Sequence, residues 1–172
     1  TIRETATLHP GTAGGGGSTT VGSNTLIMVG AHIAHDCHVG NRVIIANGTH
    51  LGGHVTIEDA AVIGALSAVH QFSKVGTIAM IGGGAMVTRD VAPYRTVTGD
   101  RARLIGLNRI GMERNGFDEA RLDVVKRAFR LLFRSKLLLR DALARVEREL
   151  AGSPEVDRMV KFIRDSERGI CR

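Results

Sequence analysis

The sequence predicts a mainly β chain, a three-sided parallel β-solenoid followed by an α-helical C-terminal segment. Three observations predict it. First, stepping by six from Val21 gives Val21, Ile27, Ile33, Val39, Ile45, Leu51, Ile57, Ile63, Val69, Val75, Ile81 and Val87, twelve Val, Ile or Leu residues without a failure. Second, the residue four places on is always small or β-branched, from Thr25, Ala31 and Cys37 to Ser73, Ala79 and Ala85. Third, the period changes to the three-or-four spacing of a helix from Asp118 onward. A strict six fits neither a helix of period 3.6 nor an alternating strand of period two. It fits a solenoid in which each hexad supplies one short strand and one corner, and three hexads close a coil. Residues eighteen apart then stack roughly 4.8 Å apart in neighbouring coils.

The elements follow in order. Ile2 and Leu8 begin the pattern, but thirteen residues separate Leu8 from Val21, with "GTAGGGGSTT" (Gly11–Thr20) between them. This is expected to be a flexible glycine-rich loop leaving the solenoid. It lacks the Lys-Ser/Thr ending of a phosphate-cradling loop. The solenoid is expected over 1–92, and a connector over 93–117 marked by Pro93 and Gly99. A helical domain is expected over 118–172, in three helices. Asp118 caps the first, in which Val124, Val125, Ala128, Leu131, Leu132 and then Leu138 recur. "LRDALARVEREL" is the second, closed by Gly152, and Ser153 with Pro154 opens the third.

The composition narrows the function classes. With 22 glycines, 3% aromatic residues and no tryptophan, the core must be narrow and aliphatic. Cys37 and Cys171 are too few for a disulfide framework and suit a reducing, cytoplasmic setting. No apolar run is long enough to cross a membrane, so no integral membrane segment is expected. Residues 1–100 carry five Lys/Arg against six Asp/Glu, whereas 101–172 carry eighteen against eleven. The basic second half points to an acidic protein partner rather than nucleic acid. Thr1 stands in mid-pattern, which suggests a piece of a longer polypeptide.

The chemistry gathers in "VGAHIAHDCHVG" (Val29–Gly40). With an eighteen-residue coil, His32 lies beneath His50, His35 shares a column with Gly53 and Gln71, and Asp36 shares one with His54 and Phe72. His70 adjoins Gln71, while His38 belongs to the next face. A general base needs a neutral imidazole held in one tautomer, usually by a carboxylate. His35 and Asp36 can supply that if a corner turns them together, and Gly53 leaves an open N–H for an oxyanion. Zinc is the competing use, but His32 and His50 find no clear third ligand. No metal and no cofactor is expected.

The blocks "AHIAHDCHVGNRVIIANGTHLGGHVTI" (Ala31–Ile57), "AVHQFSKVG" (Ala68–Gly76) and "DVAPY" (Asp90–Tyr94), with the tail to Arg172, resemble the UDP-N-acetylglucosamine O-acyltransferases of lipid A biosynthesis. The resemblance covers essentially the whole chain and implies a left-handed parallel β-helix with further coils before Thr1. It implies a homotrimer with sites between neighbouring solenoids. It also implies transfer of an (R)-3-hydroxyacyl group from acyl carrier protein to the 3-hydroxyl of UDP-N-acetylglucosamine. His35 matches the family's base, Asp36 the residue that supports it, and Gly53 the oxyanion donor. His32 and His54 match substrate-positioning residues, His70 and Gln71 the nucleotide-sugar side, and Gly83 the position limiting acyl length. Asn108 and Arg114 match nucleotide-contacting positions. The chain departs from the family at Pro10, Ile110 and Asn115, positions commonly charged. The alternatives are the sister N-acyltransferase, acting on an acylated UDP-glucosamine, a zinc-dependent hydratase on the same scaffold, and a non-catalytic binding protein.

Overall fold

The computed structural model describes residues 1–172. Thirteen two-residue strands wind into three parallel sheets. One sheet stacks β1 (Thr7–Leu8), β4 (His32–Ile33), β7 (His50–Leu51), β10 (Ala68–Val69) and β13 (Met86–Val87). The second stacks β2 (Thr20–Val21), β5 (His38–Val39), β8 (Thr56–Ile57) and β11 (Lys74–Val75). The third stacks β3 (Leu26–Ile27), β6 (Ile44–Ile45), β9 (Val62–Ile63) and β12 (Met80–Ile81), then β14 (Arg95–Thr98) and β15 (Arg103–Leu107). From β2 to β13 every ladder joins residues eighteen apart, as in His32 opposite His50 and Ala68 opposite Met86.

The two periodic columns of the sequence become the inside of the prism. From Ile27 to Val87 every member of the apolar column is at most 4% exposed, as is every small residue from Thr25 to Ala85. Val21, in the lowest strand of its sheet, is the exception at 37%. Small size matters because the second column points into the narrowing angle of a triangle, where a larger side chain would meet the opposite sheet.

The corners carry a feature that the periodicity does not announce. Every sixth residue from Asn24 to Gly84 has φ between 54° and 69°, including Asp36, His54, Leu66, Phe72 and Ile78. That left-handed backbone costs a non-glycine residue about 1–2 kcal/mol. The glycines that follow the apolar column do a different job from the corner relief expected of turn glycines. At Gly64 a β-carbon would lie 2.6 Å from Gly83 N and from Ile81 O, backbone of the coil above. These positions are glycine because coils approach closely there, while eight of the eleven turns from Asn24 to Gly84 are made by side-chain-bearing residues.

The segment Gly11–Thr20 leaves the solenoid as a loop, as the sequence predicts. Leu8 pairs with Ile33, twenty-five residues on instead of eighteen, so the loop adds seven residues to its coil. It folds back upon itself, with Gly15 N–H and Gly17 N–H donating to Thr12 O.

The β14–β15 hairpin covers the upper end of the prism, where Val97, Ala102 and Cys171 complete the aliphatic core. Four helices follow, one more than the periodicity predicts: α1 (Arg109–Arg114), α2 (Glu119–Phe133), α3 (Leu139–Glu149) and α4 (Pro154–Arg164). The caps are those read from the sequence, Asp118 Oδ1 accepting from Arg121 N–H and Ser153 Oγ from Val156 N–H. Leu122, Val125, Ala128 and Leu132 of α2 pack with α3, α4 and the corner residues Ala60 and Ile78, so a left-handed Ile buries its side chain under the helices. Leu138 does not join this core; it precedes α3 and is 68% exposed. Arg95, fully buried, lays its guanidinium 3.7 Å over the Phe133 ring and ties the hairpin to α2. Burial depresses its pKa to about 9.

Gly64→Ala is expected to lower thermal stability by about 1–3 kcal/mol, because the new methyl group meets backbone that cannot yield. Gly106→Ala, where a β-carbon meets nothing within 4 Å, is the matched substitution and should leave the melting temperature nearly unchanged. Calorimetry of the two variants checks this.

Candidate active site

The corner between the β4 and β5 sheets holds the centre. Adjacent residues of an extended strand point apart, but Asp36 is a left-handed corner residue, and the turn swings its carboxylate back toward the preceding side chain. His35 Nδ1 lies 2.8 Å from Asp36 Oδ2. Asp36 is wholly buried, while the His35 ring is 42% exposed and offers its far edge to solvent. Thr12 donates twice to the same carboxylate, from its N–H to Oδ1 at 2.9 Å and from its hydroxyl to Oδ2 at 2.7 Å. Thr19 Oγ1 accepts the Asp36 N–H at 2.9 Å. Burial by itself would raise the Asp36 pKa; the hydrogen bonds from His35 and Thr12, with His54 nearby, overrule it and hold the pKa down to about 2.

An ionised carboxylate only accepts, so Asp36 fixes the proton on Nδ1 of a neutral His35 and leaves a lone pair on Nε2. Gly53, one coil above, keeps that edge clear: a β-carbon there would lie 2.8 Å from His35 Nε2. Its N–H has no backbone acceptor, since His54 N–H bonds His35 O and Phe72 N–H bonds Gly53 O on either side. At the corner bearing Ser23, Asn41 and Thr77 the equivalent N–H groups are taken by side chains, Asn41 Oδ1, Asp59 Oδ1 and Glu58 Oε2. Gln71, at the equivalent place one coil above Gly53, makes no such bond, so a backbone donor stays free beside a base.

His54 meets His35 edge to face, ring centroids 5.1 Å apart, with its Nε2 3.9 Å from Asp36 Oδ2. Phe72 stacks on the other face of His54 at 4.4 Å. His32 and His50 lie on the outer face of their sheet with centroids 5.9 Å apart, and His9 adds a third ring 4.7 Å from His32. Desolvation, His9 and His50 together lower the His32 pKa. The nitrogen and oxygen donors of His35, Asp36 and His54 come within 4.8 Å of one another. That spacing invites a metal ion, but the carboxylate is already committed to His35 and Thr12, so the arrangement is that of a hydrogen-bonded relay.

The other candidate residues divide among corners. Gln71 and His70 stand one coil above Gly53 on the His35 edge, with His70 Nδ1 3.0 Å from Gln71 O. Gly83 lies twelve residues past Gln71, on the corner between the β12 and β13 sheets, exposed and with only Ala65 backbone near it. Asn108 caps α1 through Gly111 N–H and donates to Ile78 O, which places it with Arg114 at the third corner. One chain therefore does not bring Gly83, Asn108 or Arg114 to His35. Reasoning from the sequence missed Thr12, Thr19 and Gly15, whose β-carbon would strike the Asp36 carboxylate. The two threonines bracketing a glycine run were the available signal.

The family described as "Udp N-acetylglucosamine O-acyltransferase; Domain 2" matches residues 90–171, and the bacterial transferase hexapeptide repeat matches 18–53. An acyl-[acyl-carrier-protein]–UDP-N-acetylglucosamine O-acyltransferase of Anaeromyxobacter sp. (strain K) is 52% identical over 100% of this chain and 67% of its own length. The chain belongs to the UDP-N-acetylglucosamine O-acyltransferase family. A family member from Myxococcus xanthus is 56% identical over 99% of the chain and 66% of its own length. The chain thus spans about two thirds of the curated relatives it matches. Among solved structures, the UDP-N-acetylglucosamine acyltransferases of Francisella novicida and Arabidopsis both superpose with a TM-score of 0.94. They are 38% and 41% identical, cover 99% of this chain, and are themselves covered over 63% and 62%. No helix is long and apolar enough to cross a membrane.

A depressed carboxylate stabilises the fold above its unfolded pKa, and that stability is lost as pH falls through its folded value. Asp36 should therefore contribute in full above about pH 4 and lose its contribution as pH falls toward 2. Asp36→Asn should flatten the stability curve across that window, and Thr12→Val should move the loss to higher pH. Denaturant titrations between pH 2 and pH 5 measure both.

Proposed function

We propose that the complete protein transfers an (R)-3-hydroxyacyl group from acyl carrier protein to the 3-hydroxyl of UDP-N-acetylglucosamine, with His35 as general base. The observation that carries this reading is the buried, ionised Asp36 bonded to His35, with a free Gly53 N–H beside the open Nε2. The activity for which relatives more than half identical are named supports the substrates. His35 Nε2 takes the proton of the sugar hydroxyl as its oxygen attacks the thioester carbonyl carbon. The carbonyl oxygen gains negative charge, which the Gly53 N–H stabilises. The intermediate collapses, the carbon–sulfur bond breaks, and the imidazolium returns its proton to the departing thiolate. No covalent enzyme intermediate forms, and Asp36 holds the charge that appears on His35.

His32 and His54 position the acceptor, His70 and Gln71 face the nucleotide sugar, and Gly83 leaves the acyl channel long. Asn108 and Arg114 reach the nucleotide. These residues occupy three corners of the prism, so a single chain cannot gather them, and a ring of chains can. Pairing the His35 corner of one chain with a different corner of its neighbour is a head-to-tail contact, which closes as a ring. The resemblance to the family implies that three chains complete the ring, and the active form is taken to be a homotrimer. The domain division we adopt is 1–92, 93–117 and 118–172, and the setting is the cytoplasm.

Incubating the complete polypeptide with UDP-N-acetylglucosamine and hydroxyacyl carrier proteins, with products identified by mass, tests the reaction. An acylated UDP-glucosamine acceptor alongside tests the N-acyltransferase alternative, and stoichiometric zinc in the purified protein would favour a hydratase. His35→Ala should lower the rate about 10²–10⁴-fold; a variant within tenfold of wild type would remove the assigned base. Sedimentation equilibrium should give three times the chain mass, and a monomer that turns over at the full rate would refute the shared site.

A further inference from the structure

A recess lies away from His35, on the corner of the prism that the helices cover. Arg42, Ala60, Ile78 and Tyr94 follow one another up this corner, each with a left-handed backbone. Between the corner and the helices α2 and α4 is a cavity of about 300 Å³, walled by Arg42, Asp59, Tyr94, Arg121, Glu155 and Arg158 among others. That volume suits a small molecule. Its polar groups divide into those with partners and those without. Both carboxylates of the wall are engaged: Asp59 Oδ1 accepts Asn41 N–H at 2.8 Å, and Glu155 accepts from Arg121 and from the Ser153 hydroxyl. What remains is a set of donors. The guanidinium groups of Arg42 and Arg158 make neither a hydrogen bond nor an ion pair, whereas Arg121 is held by Glu155 at 2.7 Å and lies over the Phe117 ring. Tyr94 is only 3% exposed, yet its hydroxyl has no hydrogen-bond partner. The charged groups that face this hydroxyl are Arg158, Glu155, Glu58 and Arg121, and burial pushes its pKa up to about 12, so it stays a donor. Glu58 stands outside the wall and accepts Thr77 N–H through Oε2. A buried hydroxyl left without a partner, aimed at two unpaired cations, calls for a ligand that accepts from all three.

We infer that this recess binds the carboxylate of a small organic acid, with Arg42, Arg158 and the Tyr94 hydroxyl as its donors. Guanidinium forks match the two oxygens of a carboxylate. Charge narrows the class further. Three arginines stand against two carboxylates in the wall, so a single negative charge balances it, whereas a phosphate monoester brings about two. Ile78, Phe117 and Pro154 add apolar surface beside the donors, where the carbon body of the acid lies. None of the residues that hold it takes part in the proposed acyl transfer, so the site stands or falls independently of that reaction.

The test titrates the complete polypeptide with sodium butyrate, sodium acetate, inorganic phosphate and sodium chloride at constant ionic strength, by calorimetry and by thermal melting. Butyrate is expected to bind and to raise the melting temperature with the logarithm of its concentration above Kd, with acetate weaker and chloride without effect. R42Q/R158Q should weaken butyrate binding about tenfold or more, because two charged donors are lost. R140Q/R148Q on α3 is the matched charge control and should bind as wild type does. Tyr94→Phe separates a ligand-binding role from a structural one. Without butyrate it should melt at or above the wild-type temperature, since it deletes a hydroxyl that nothing satisfies, and with butyrate it should gain less than wild type. A Tyr94→Phe protein that melts lower without ligand and gains as much from butyrate would show a structural hydroxyl and overturn the inference. Absent butyrate binding in the wild type, undiminished binding by R42Q/R158Q, or an equal loss in the control would overturn it too. Phosphate bound more tightly than butyrate would overturn the carboxylate as the ligand.

Discussion

A left-handed backbone at every sixth residue is the constraint on which the rest depends. It turns the chain so that each strand is only two residues long and each coil closes in eighteen, and it recurs without interruption from Asn24 to Gly84. Only Gly30, Gly48 and Gly84 in that series are glycine. The remaining corners hold Asn, Asp, Arg, His, Ala, Leu, Phe and Ile in a conformation their side chains resist, so the coil must over-determine them. Ladder hydrogen bonds above and below each corner do so, as when His54 N–H meets His35 O and Phe72 N–H meets Gly53 O. Strain of this kind is uniform along the solenoid; at one corner it also arranges chemistry.

That corner is where Asp36 and His54 sit. In an extended strand the aspartate beside a histidine would face the opposite way, and the pair would be inert. The left-handed turn at Asp36 brings its carboxylate under the His35 ring, and the same turn one coil up presents His54 edge-on to that ring. The cost of burying the carboxylate is offset by three hydrogen bonds, one from His35 and two from Thr12 of the inserted loop, whose Thr19 also accepts the Asp36 N–H. The loop is thus part of the dyad's support: Gly15 comes so close to the carboxylate that any side chain there would displace it.

What the sequence discloses and what it hides follow from the same geometry. The apolar and small columns are legible because burial acts on residue type at each step, and twelve repetitions leave little ambiguity about register. The stacking of His32 on His50, or Gly53 over His35, is arithmetic once the coil length is known. The left-handed corners are hidden because nine residue types occupy them, so composition carries no trace. The convergence of His35 on Asp36 depends on that hidden turn. The role of Thr12 depends on how seven extra residues fold, which no period describes. The helix α1 was hidden because six residues carry too short a pattern. One separation was legible and passed unread: Gly83 stands twelve residues beyond Gln71, two corners away, so both cannot face the same cleft of one chain.

The distribution of charge gives the corners different tasks. On the His35 edge the carboxylates of Asp36 and Asp90 are both sealed beneath the surface, so the rings that face outward there are those of His35, His54 and His70, with no exposed acid among them. An anionic ligand such as the nucleotide sugar of the proposed reaction would meet no repulsion at such an edge. Were Asp36 at the surface, it would oppose such a ligand while still orienting its histidine. Burying it keeps the local effect, a fixed tautomer, and suppresses the long-range one. The two hydrogen bonds donated by Thr12 are what make that burial possible, because without donors the carboxylate would take up a proton and His35 would lose its orienting partner.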